Sequence, residues 1–189
     1  MSIIVGMDEV GRGSWAGPLY VGAVVLGEPI LGLRDSKLLS VKSREKLSQQ
    51  IRSDATAYAI GKVTHREIDL LGLTTASCLA YERALAGIKC PYDEVIIDGS
   101  YNFLPANSRV RTLVDADQSV PAVSAASIIA KVARDAHMRE MAAKYAGYGF
   151  ERHVGYGTAV HAAALREMGP CAIHRRSFAP IQKIMQELA

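Results

Sequence analysis

The stretch Val5-Gly6-Met7-Asp8-Glu9-Val10-Gly11-Arg12-Gly13 joins an apolar strand to two adjacent carboxylates and a glycine-flanked arginine. Neighbouring side chains of an extended chain point to opposite faces, so Asp8 and Glu9 should diverge unless the strand ends or bulges there. The glycines leave the backbone open to a ligand, and the Arg12 guanidinium suits a phosphate. Carboxylates beside phosphate donors are typical of metal-assisted phosphoryl chemistry, and a charged turn is the simpler alternative.

The composition predicts one soluble globular domain. The 189 residues are 49% hydrophobic and 22% charged, and no apolar run approaches the length of a membrane helix. Neither a basic leader nor a disulfide framework is apparent, because the three cysteines are scattered and odd in number, so we expect a cytoplasmic protein. A net charge of +3 permits binding to nucleic acid without demonstrating it.

Hydrophobic spacing predicts an α/β architecture, in which a mixed central sheet is flanked by helices and followed by a small helical C-terminal tail. Strands are predicted at residues 3–9, 19–26, 55–63, 94–99 and 109–114. Helices are predicted at residues 41–53, 73–88, 124–145, 159–168 and 180–188, the first with Ser40 as its N-cap. The Gly- and Pro-rich link between the first two strands indicates an antiparallel pair.

Four acids follow predicted strands. Asp8 and Glu9 end the first strand, Asp98 ends the fourth, and Asp117 follows the fifth. If the fourth strand lies beside the first, these acids converge at one sheet edge, where they cannot all stay ionised without compensation. Divalent cations are the usual compensation, and Mg²⁺ or Mn²⁺ takes oxygen ligands of this kind. Two such ions would activate a water and stabilise a leaving oxygen.

The chain resembles prokaryotic ribonuclease HII in a series of motifs that covers nearly its whole length. These motifs are Asp8 to Gly13, Asp35-Ser36-Lys37, Ile97-Asp98-Gly99, Val120-Pro121 with Ser124 to Val132, Arg134-Asp135, Gly155-Tyr156-Gly157-Thr158 and His174-Arg175-Arg176-Ser177-Phe178. A lone Asp-Glu pair would be weak support, whereas the ordered series is specific.

The resemblance implies a ribonuclease H-like catalytic domain spanning residues 1–189, whose helical portion from about residue 146 onward completes the substrate cleft. It implies a metal-dependent endonuclease that hydrolyses the RNA strand of RNA–DNA hybrids. It further implies cutting 5′ to single ribonucleotides in duplex DNA, with 3′-hydroxyl and 5′-phosphate ends and a role in replication and ribonucleotide repair.

The resemblance also implies residue roles. Asp8, Glu9, Asp98 and Asp117 match the metal-binding acids. Gly11, Arg12 and Gly13 match the ribose-sensing loop, and Tyr156 matches the tyrosine that reads the RNA–DNA junction. The family often has Lys-Gly-Asp where this chain has Asp115-Ala116-Asp117; the spacing to Val120-Pro121 selects Asp117, with Asp115 as the alternative.

Several basic residues are candidate phosphate contacts: Arg12, Lys37, Arg175 and Arg176. The alternative for Lys37 is a solvated loop lysine, and for Arg175 and Arg176 it is a basic pair of the kind that is common before helices. His174 is more often structural than a proton shuttle. Ser127 and Lys131 lie on the predicted long helix, shortly after Asp117 in the sequence, and are candidates to support the site. The alternative for Lys131 is a side chain that extends from the core to solvent. Arg134 and Asp135 are candidates for an internal ion pair.

Three alternatives remain. One is a related nuclease, such as ribonuclease HIII or a junction resolvase; ribonuclease HIII carries an extra N-terminal domain, for which no room precedes residue 8. Another is a non-catalytic hybrid-binding protein, which gains nothing from clustered acids. Finally, residues 182–188 faintly resemble a sliding-clamp peptide without its terminal aromatics, whereas Ile181, Ile184, Met185 and Leu188 fit a packed helix. We expect a monomer.

Overall fold

A computed structural model describes residues 2–33 and 39–188, and its centre is a five-stranded mixed sheet. The strands are β1 (Ile4–Val10), β2 (Leu19–Val25), β3 (Ala57–Val63), β4 (Glu94–Asp98) and β5 (Val110–Leu113). Their order is β3-β2-β1-β4-β5, in which β2 runs antiparallel to β1 and β3, while β4 runs parallel to β1 and β5. The predicted antiparallel first pair is thereby confirmed, and β4 lies beside β1, the condition under which the acids were expected to converge.

Eight helices surround this sheet in the described part of the chain. They are α1 (Val41–Asp54), α2 (His65–Leu71), α3 (Leu73–Ala86), α4 (Ala116–Ser119), α5 (Pro121–Lys144), α6 (Phe150–His153), α7 (Ala159–Met168) and α8 (Ala179–Glu187). The α/β class predicted from the sequence is confirmed. Lys37 and the Asp35-Ser36-Lys37 motif lie outside the described residues.

Each sheet face carries its own helix. On one face α3 contributes Ala76, Ala80, Tyr81 and Ala84 to a core with the inward residues of the strands. On the other, α5 packs its Ala125, Ala126, Ile128 and Ile129 against β2 and α1. The sheet is therefore the middle of three layers.

Glycines on the strands let the helices approach the backbone directly. A Cβ atom on Gly6 would overlap the main chain of Ala122, and one on Gly22 would overlap the carbonyl of Ala126. Both partners lie on α5, which therefore crosses β1 and β2 without intervening side chains. This close approach fixes where the second half of α5 meets the C-terminal end of β1.

The C-terminal helices form a second core with the end of α5. Phe150, Leu165, Ile173, Ile181 and Ile184 are buried there together with Met138. The last helix thus packs on the body of the protein through Ile181 and Ile184, which agrees with the packed-helix alternative for the tail. No helix of the described residues is long and apolar enough to cross a membrane.

Several element boundaries differ from the predicted ones for local reasons. Residues 65–71 form a separate helix, because Thr64 and Glu67 make a capping box and Gly72, at φ 77°, breaks the chain before α3. Helix α5 starts at Pro121 rather than residue 124, since proline is favoured in the first turn. The four-residue helices α4 and α6 were not predicted, being too short to show a hydrophobic period.

The close contact of α5 with the sheet gives a stability prediction. Gly22→Ala should lower the free energy of unfolding by about 3 kcal/mol, because the added methyl group must displace helix backbone. Gly13→Ala is the matched control, since a Cβ there meets no atom within 4 Å, and its effect should stay within about 0.5 kcal/mol. Urea unfolding measures both; equal stability of the two variants would contradict the packing.

Candidate active site

Three of the four predicted acids line one cavity at the C-terminal ends of β1 and β4. The cavity has a volume of about 470 Å³, and its walls are formed by Asp8, Glu9, Val10, Asp98, Ser127, Lys131 and Tyr156. The sheet supplies the acids, α5 supplies Ser127 and Lys131, and the segment after α6 supplies Tyr156. Residues far apart in sequence therefore meet at the edge predicted to hold them.

Asp8 and Glu9 point to opposite faces of the sheet, as their strand positions predict. Strand β1 continues to Val10 without a bulge at the two acids. Asp8 shares the α5 face with Gly6 and is hydrogen-bonded to Ser127. Glu9 shares the α3 face, where its Oε2 accepts a hydrogen bond of 2.5 Å from the Tyr81 hydroxyl. The cavity therefore wraps around the end of β1.

Asp98 lies beside Asp8. The parallel register pairs Met7 with Ile97, so the next residues of β1 and β4 are Asp8 and Asp98, on the same face. One Asp98 oxygen, Oδ1, accepts a hydrogen bond of 2.8 Å from the Ala116 amide at the start of α4. This bond fixes α4 against the cavity edge.

Burial dominates the electrostatics of the two acids on β1. It raises the pKa of Asp8 to about 7; the hydrogen bond from Ser127 opposes this rise, and the charges of Glu9 and Asp98 add to it. Burial also raises the pKa of Glu9, against the lowering effects of Tyr81 and Arg12. Near neutral pH the metal-free cavity therefore holds Asp8 partly protonated, a condition that a nearby cation would reverse.

The acids fit a divalent cation in chemical kind, because carboxylate oxygens are the donors that Mg²⁺ and Mn²⁺ prefer. Within residues 2–33 and 39–188, however, no group of three or more His, Cys, Asp or Glu side chains is arranged so that it could hold a metal ion. The hydrogen bonds explain this, since Glu9 is directed to Tyr81 and Asp98 to Ala116. Binding an ion requires these carboxylates to turn toward one another.

Asp117 is buried in α4, with 7% of its surface exposed, whereas Asp115 is exposed at the N-cap with φ 55°. The Ala116 amide of α4 is hydrogen-bonded to Asp98, which lines the cavity, and Asp117 is the next residue after Ala116. Asp117 is not among the residues that line the cavity as described. Its burial favours it over Asp115, and its role as a ligand stays a prediction.

Arg175 does not contact solvent, so the prediction that it binds a phosphate is wrong. It is fully buried, and its guanidinium donates to the carbonyls of Gly11 at 2.6 Å, Arg12 at 2.8 Å and Gly17 at 3.0 Å. All three guanidinium nitrogens are thus occupied by the backbone. Arg175 holds the loop that follows β1, in which Gly11 adopts φ 89°, a conformation that glycine reaches without strain.

Arg134 supports the same region from α5, and the predicted ion pair with Asp135 is wrong. Its guanidinium donates to the carbonyls of Pro18, Ala16 and Val154 at 3.0, 3.2 and 2.9 Å. The carboxylate of Asp135 instead pairs with Lys131 at 2.8 Å, one helical turn away. Arg134 also lies against Gly11, where a Cβ atom would overlap its side chain.

Arg12 and Gly13 present the open part of this loop. The Arg12 side chain stands over the Phe103 ring, 5.4 Å from its centroid, and its buried Nε has no hydrogen-bond partner among the described residues. Gly13 is exposed, and no atom would contact a Cβ there within 4 Å. The loop therefore exposes the backbone of Gly13 beside Arg12, whose charge lowers the pKa of Glu9.

Tyr156 lies at the cavity, as predicted, and Arg176 lies elsewhere. The ring of Tyr156 is 36% exposed and stands 5.5 Å from the Arg134 guanidinium carbon. Arg176 is exposed beside a separate cavity with His65 and Arg66, where its main-chain amide donates to Asp69. Its place away from the acids does not support direct contact with the reacting phosphate.

Tyr81 is a site residue that the sequence analysis missed. It occupies the apolar face of α3 and stacks on Phe103 at 4.8 Å, so its spacing is that of a core residue. Only its partner Glu9, 72 residues away, shows that its hydroxyl belongs to the cavity. No local pattern could have revealed that contact.

Comparisons with known proteins agree on one family. The ribonuclease HII family profile matches residues 5–181. Ribonuclease HII of Halorhodospira halophila is 50% identical over 186 residues, covering 96% of this chain and 94% of that protein. The structure of ribonuclease H2 from Pyrococcus horikoshii OT3 is similar with a TM-score of 0.83, 27% identity and 97% coverage of both chains. The structure of ribonuclease HII from Archaeoglobus fulgidus, solved in complex with PCNA, is similar with a TM-score of 0.78 and 26% identity, covering 92% of this chain and 93% of that chain.

The raised pKa of Asp8 predicts a pH-dependent stability. A carboxyl whose pKa rises from 3.8 to about 7 on folding contributes full stability below pH 3.8, and this contribution is lost as the pH rises through 7. In EDTA, Asp8→Asn should therefore be more stable than the wild type by roughly 2–4 kcal/mol at pH 8 and about equally stable at pH 4. Urea unfolding at both values measures the difference; a difference independent of pH would contradict it.

Proposed function

The chain belongs to the ribonuclease HII family of type 2 ribonuclease H endonucleases, and we propose that it cuts both RNA–DNA hybrids and duplex DNA that contains single ribonucleotides. The observation that carries the proposal is one cavity in which Asp8, Glu9 and Asp98 lie with Tyr156, while the loop that follows β1 carries the open backbone of Gly13. Acids alone would suit many phosphoryl enzymes. The adjoining backbone and tyrosine add a means of detecting a sugar hydroxyl.

The acids of the cavity would hold the cations. We infer that Asp8, Glu9 and Asp98 bind Mg²⁺ or Mn²⁺, with Asp117 of α4, the residue after the Ala116 amide that contacts Asp98, completing the set. When bound, two such ions would lower the pKa of the attacking water and stabilise the leaving oxygen. Ser127 orients Asp8 from one face, and on the other face Glu9 would leave its hydrogen bond with Tyr81 to reach an ion. Lys131, in the cavity wall, is paired with Asp135.

The reaction requires no covalent intermediate with the protein. Water attacks the phosphate 5′ to the ribonucleotide in line with the bond to the O3′ of the preceding nucleotide. That bond breaks, so the upstream strand ends in a 3′-hydroxyl and the ribonucleotide keeps a 5′-phosphate. The acids, placed at the ends of two adjacent strands, set the direction of attack relative to the duplex.

Selection for RNA would come from two connected loops. A 2′-hydroxyl both donates and accepts a hydrogen bond, and the exposed Gly13 would offer it an amide and a carbonyl. The loop that carries Tyr156 is bonded to the same segment, because the Gly155 carbonyl accepts from the amides of Trp15 at 2.8 Å and Ala16 at 3.2 Å. The buried Arg175 and Arg134 therefore hold one sensor made of both loops.

The C-terminal portion completes the cleft in this account, because Tyr156 belongs to it. We propose that residues 1–189 act as a single catalytic domain. Clamp binding is named for the relative from Archaeoglobus fulgidus, and we do not extend it to this chain. The residues that would form a clamp peptide lie in α8, where Ile184 is buried in the second core.

Cleavage of defined duplexes tests the proposal. The purified protein should cut a duplex with one ribonucleotide and an RNA–DNA hybrid in Mg²⁺ or Mn²⁺, cut neither in EDTA, and leave all-DNA duplex intact. Asp8→Asn should lower kcat/KM by at least about 100-fold, because it removes a ligand oxygen and its charge. Asp54→Asn, an exposed change at the end of α1, is the control. Near-normal cleavage by Asp8→Asn would refute the role of the cavity.

The sensor loop gives a separate prediction. Gly13→Ala should lower kcat/KM for a duplex with one ribonucleotide by about 10-fold, because a methyl group there covers backbone that would pair with the 2′-hydroxyl. Its unfolding free energy should stay that of the wild type, since the position is open. Steady-state cleavage and urea unfolding measure the two effects. Wild-type activity would contradict the role of the Gly13 backbone.

A further inference from the structure

Three buried histidines stand behind Tyr156, outside the cavity that holds the acids. The rings of His153 and His161 stack with centroids 4.5 Å apart, and those of His161 and His174 are 5.2 Å apart. Their exposed fractions are 8%, 0% and 1%, so each ring nitrogen needs a partner within the protein. The pattern of partners determines where the protons lie.

His153 has a unique proton arrangement. Its Nε2 lies 2.8 Å from the carbonyl of Tyr148, which only accepts, so this nitrogen carries the proton. Its Nδ1 accepts from the Gly155 amide at 3.2 Å. His153 is thereby satisfied as a neutral ring, and it holds the residue that precedes Tyr156.

His161 and His174 contact each other through their Nε2 atoms at 2.9 Å, so one of the two nitrogens must donate. The Nδ1 of His161 lies 2.9 Å from the carbonyl of Tyr156 and carries a proton for that bond, which leaves its Nε2 as the acceptor. His174 is then the donor. Its Nδ1, 3.3 Å from the Cys171 carbonyl, makes the longest of these contacts and is the one without a proton.

Burial favours this neutral arrangement. It lowers the pKa of His161 and of His174 to about 4, and the neighbouring imidazoles add to the effect for both residues. A single chain of hydrogen bonds therefore runs from His174 Nε2–H to His161, and from His161 Nδ1–H to the Tyr156 carbonyl. The Cys171 carbonyl, which receives no proton from His174 Nδ1 in this arrangement, still accepts a hydrogen bond from the His174 amide at 3.2 Å.

We propose that His161, oriented by His174, is a positioning residue that holds the main chain of Tyr156 so that its ring stays at the cavity. This inference rests on the proposed function, in which Tyr156 reads the ribonucleotide. Tyr156 also donates its amide to the His153 carbonyl and accepts from the Thr158 amide, both at 2.9 Å. Loss of the histidine bond should therefore loosen the loop without unfolding it.

Asparagine and glutamine substitutions test the two ring nitrogens of a histidine one at a time. The Nδ2 of asparagine superposes on Nδ1 of histidine, and the Nε2 of glutamine superposes on Nε2. His161→Asn keeps the donor to Tyr156 and does not need His174, because an amide NH₂ is a donor whatever its neighbour, whereas the imidazole needs His174 to keep the proton on Nδ1. His161→Gln keeps only the end that faces His174, and His161→Phe keeps neither. At the second position the order reverses, because His174→Gln keeps the donor to His161 and His174→Asn loses it.

The test compares these five variants on a duplex with a single ribonucleotide. We expect kcat within 3-fold of the wild type for His161→Asn and His174→Gln, and a fall of about 10-fold for the other three. The Kd for the same duplex in EDTA should change less than 3-fold. A role in filling space predicts no such reversal, and would leave His161→Phe, which keeps a ring, the most active.

The single tryptophan gives a readout that does not depend on activity. Trp15 lies against Gly157, and its ring centroid is 5.5 Å from that of His161. Its emission maximum should match the wild type in the two retaining variants and shift in the other three.

Asparagine and glutamine variants that behave alike at either position, in kcat and in emission, would overturn the inference. A wild-type protein that cuts no ribonucleotide-containing duplex would instead refute the proposed function, and the emission pattern would still decide whether the histidine chain holds the loop.

Discussion

Direct contact between α5 and the backbone of β1 and β2 is the constraint on which the site depends. Gly6 and Gly22 remove the side chains that would separate the layers, so the helix crosses the sheet at a fixed height. Ser127 then reaches Asp8, and further along the same helix Arg134 reaches the loops beyond the strand. A helix held one side-chain layer further away would leave Asp8 without its hydrogen bond and both loops without their shared support.

The cavity combines unfavourable electrostatics with a rigid surround. Asp8 is buried beside two other acids, which raises its pKa and costs stability in the absence of a cation. The surround offsets this through basic groups that are hydrogen-bonded to fixed partners, among them Arg175 and Arg134 on loop carbonyls. In the proposed function, a bound cation would relieve the repulsion among the acids while these groups hold the loops in place.

Much of this arrangement was predictable from the sequence, because strand ends and hydrophobic periods are local signals. The α/β class and the acids at the ends of strands follow from that level, whereas the meeting of Asp8 with Asp98 depended on β4 lying beside β1, which the sequence analysis left as a condition. The contacts between residues that are far apart in the sequence were not predicted. Arg175 and Arg176 are adjacent arginines, yet only Arg175 is buried. Its hydrogen-bond partners Gly11 and Gly17 come from the other end of the chain, so the local sequence does not distinguish the two arginines. Tyr81 and the histidines behind Tyr156 also act through contacts that no local spacing encodes.

The central claim is that carboxylates from separate strands share bound cations at the end of β1. Anomalous diffraction from crystals grown with Mn²⁺ tests it most directly. The account predicts a peak within about 2.0–2.6 Å of oxygens from Asp8 and Asp98, with Glu9 turned away from Tyr81 toward the ion. Strong Mn²⁺ peaks elsewhere, with none among these acids at saturating metal, would contradict it.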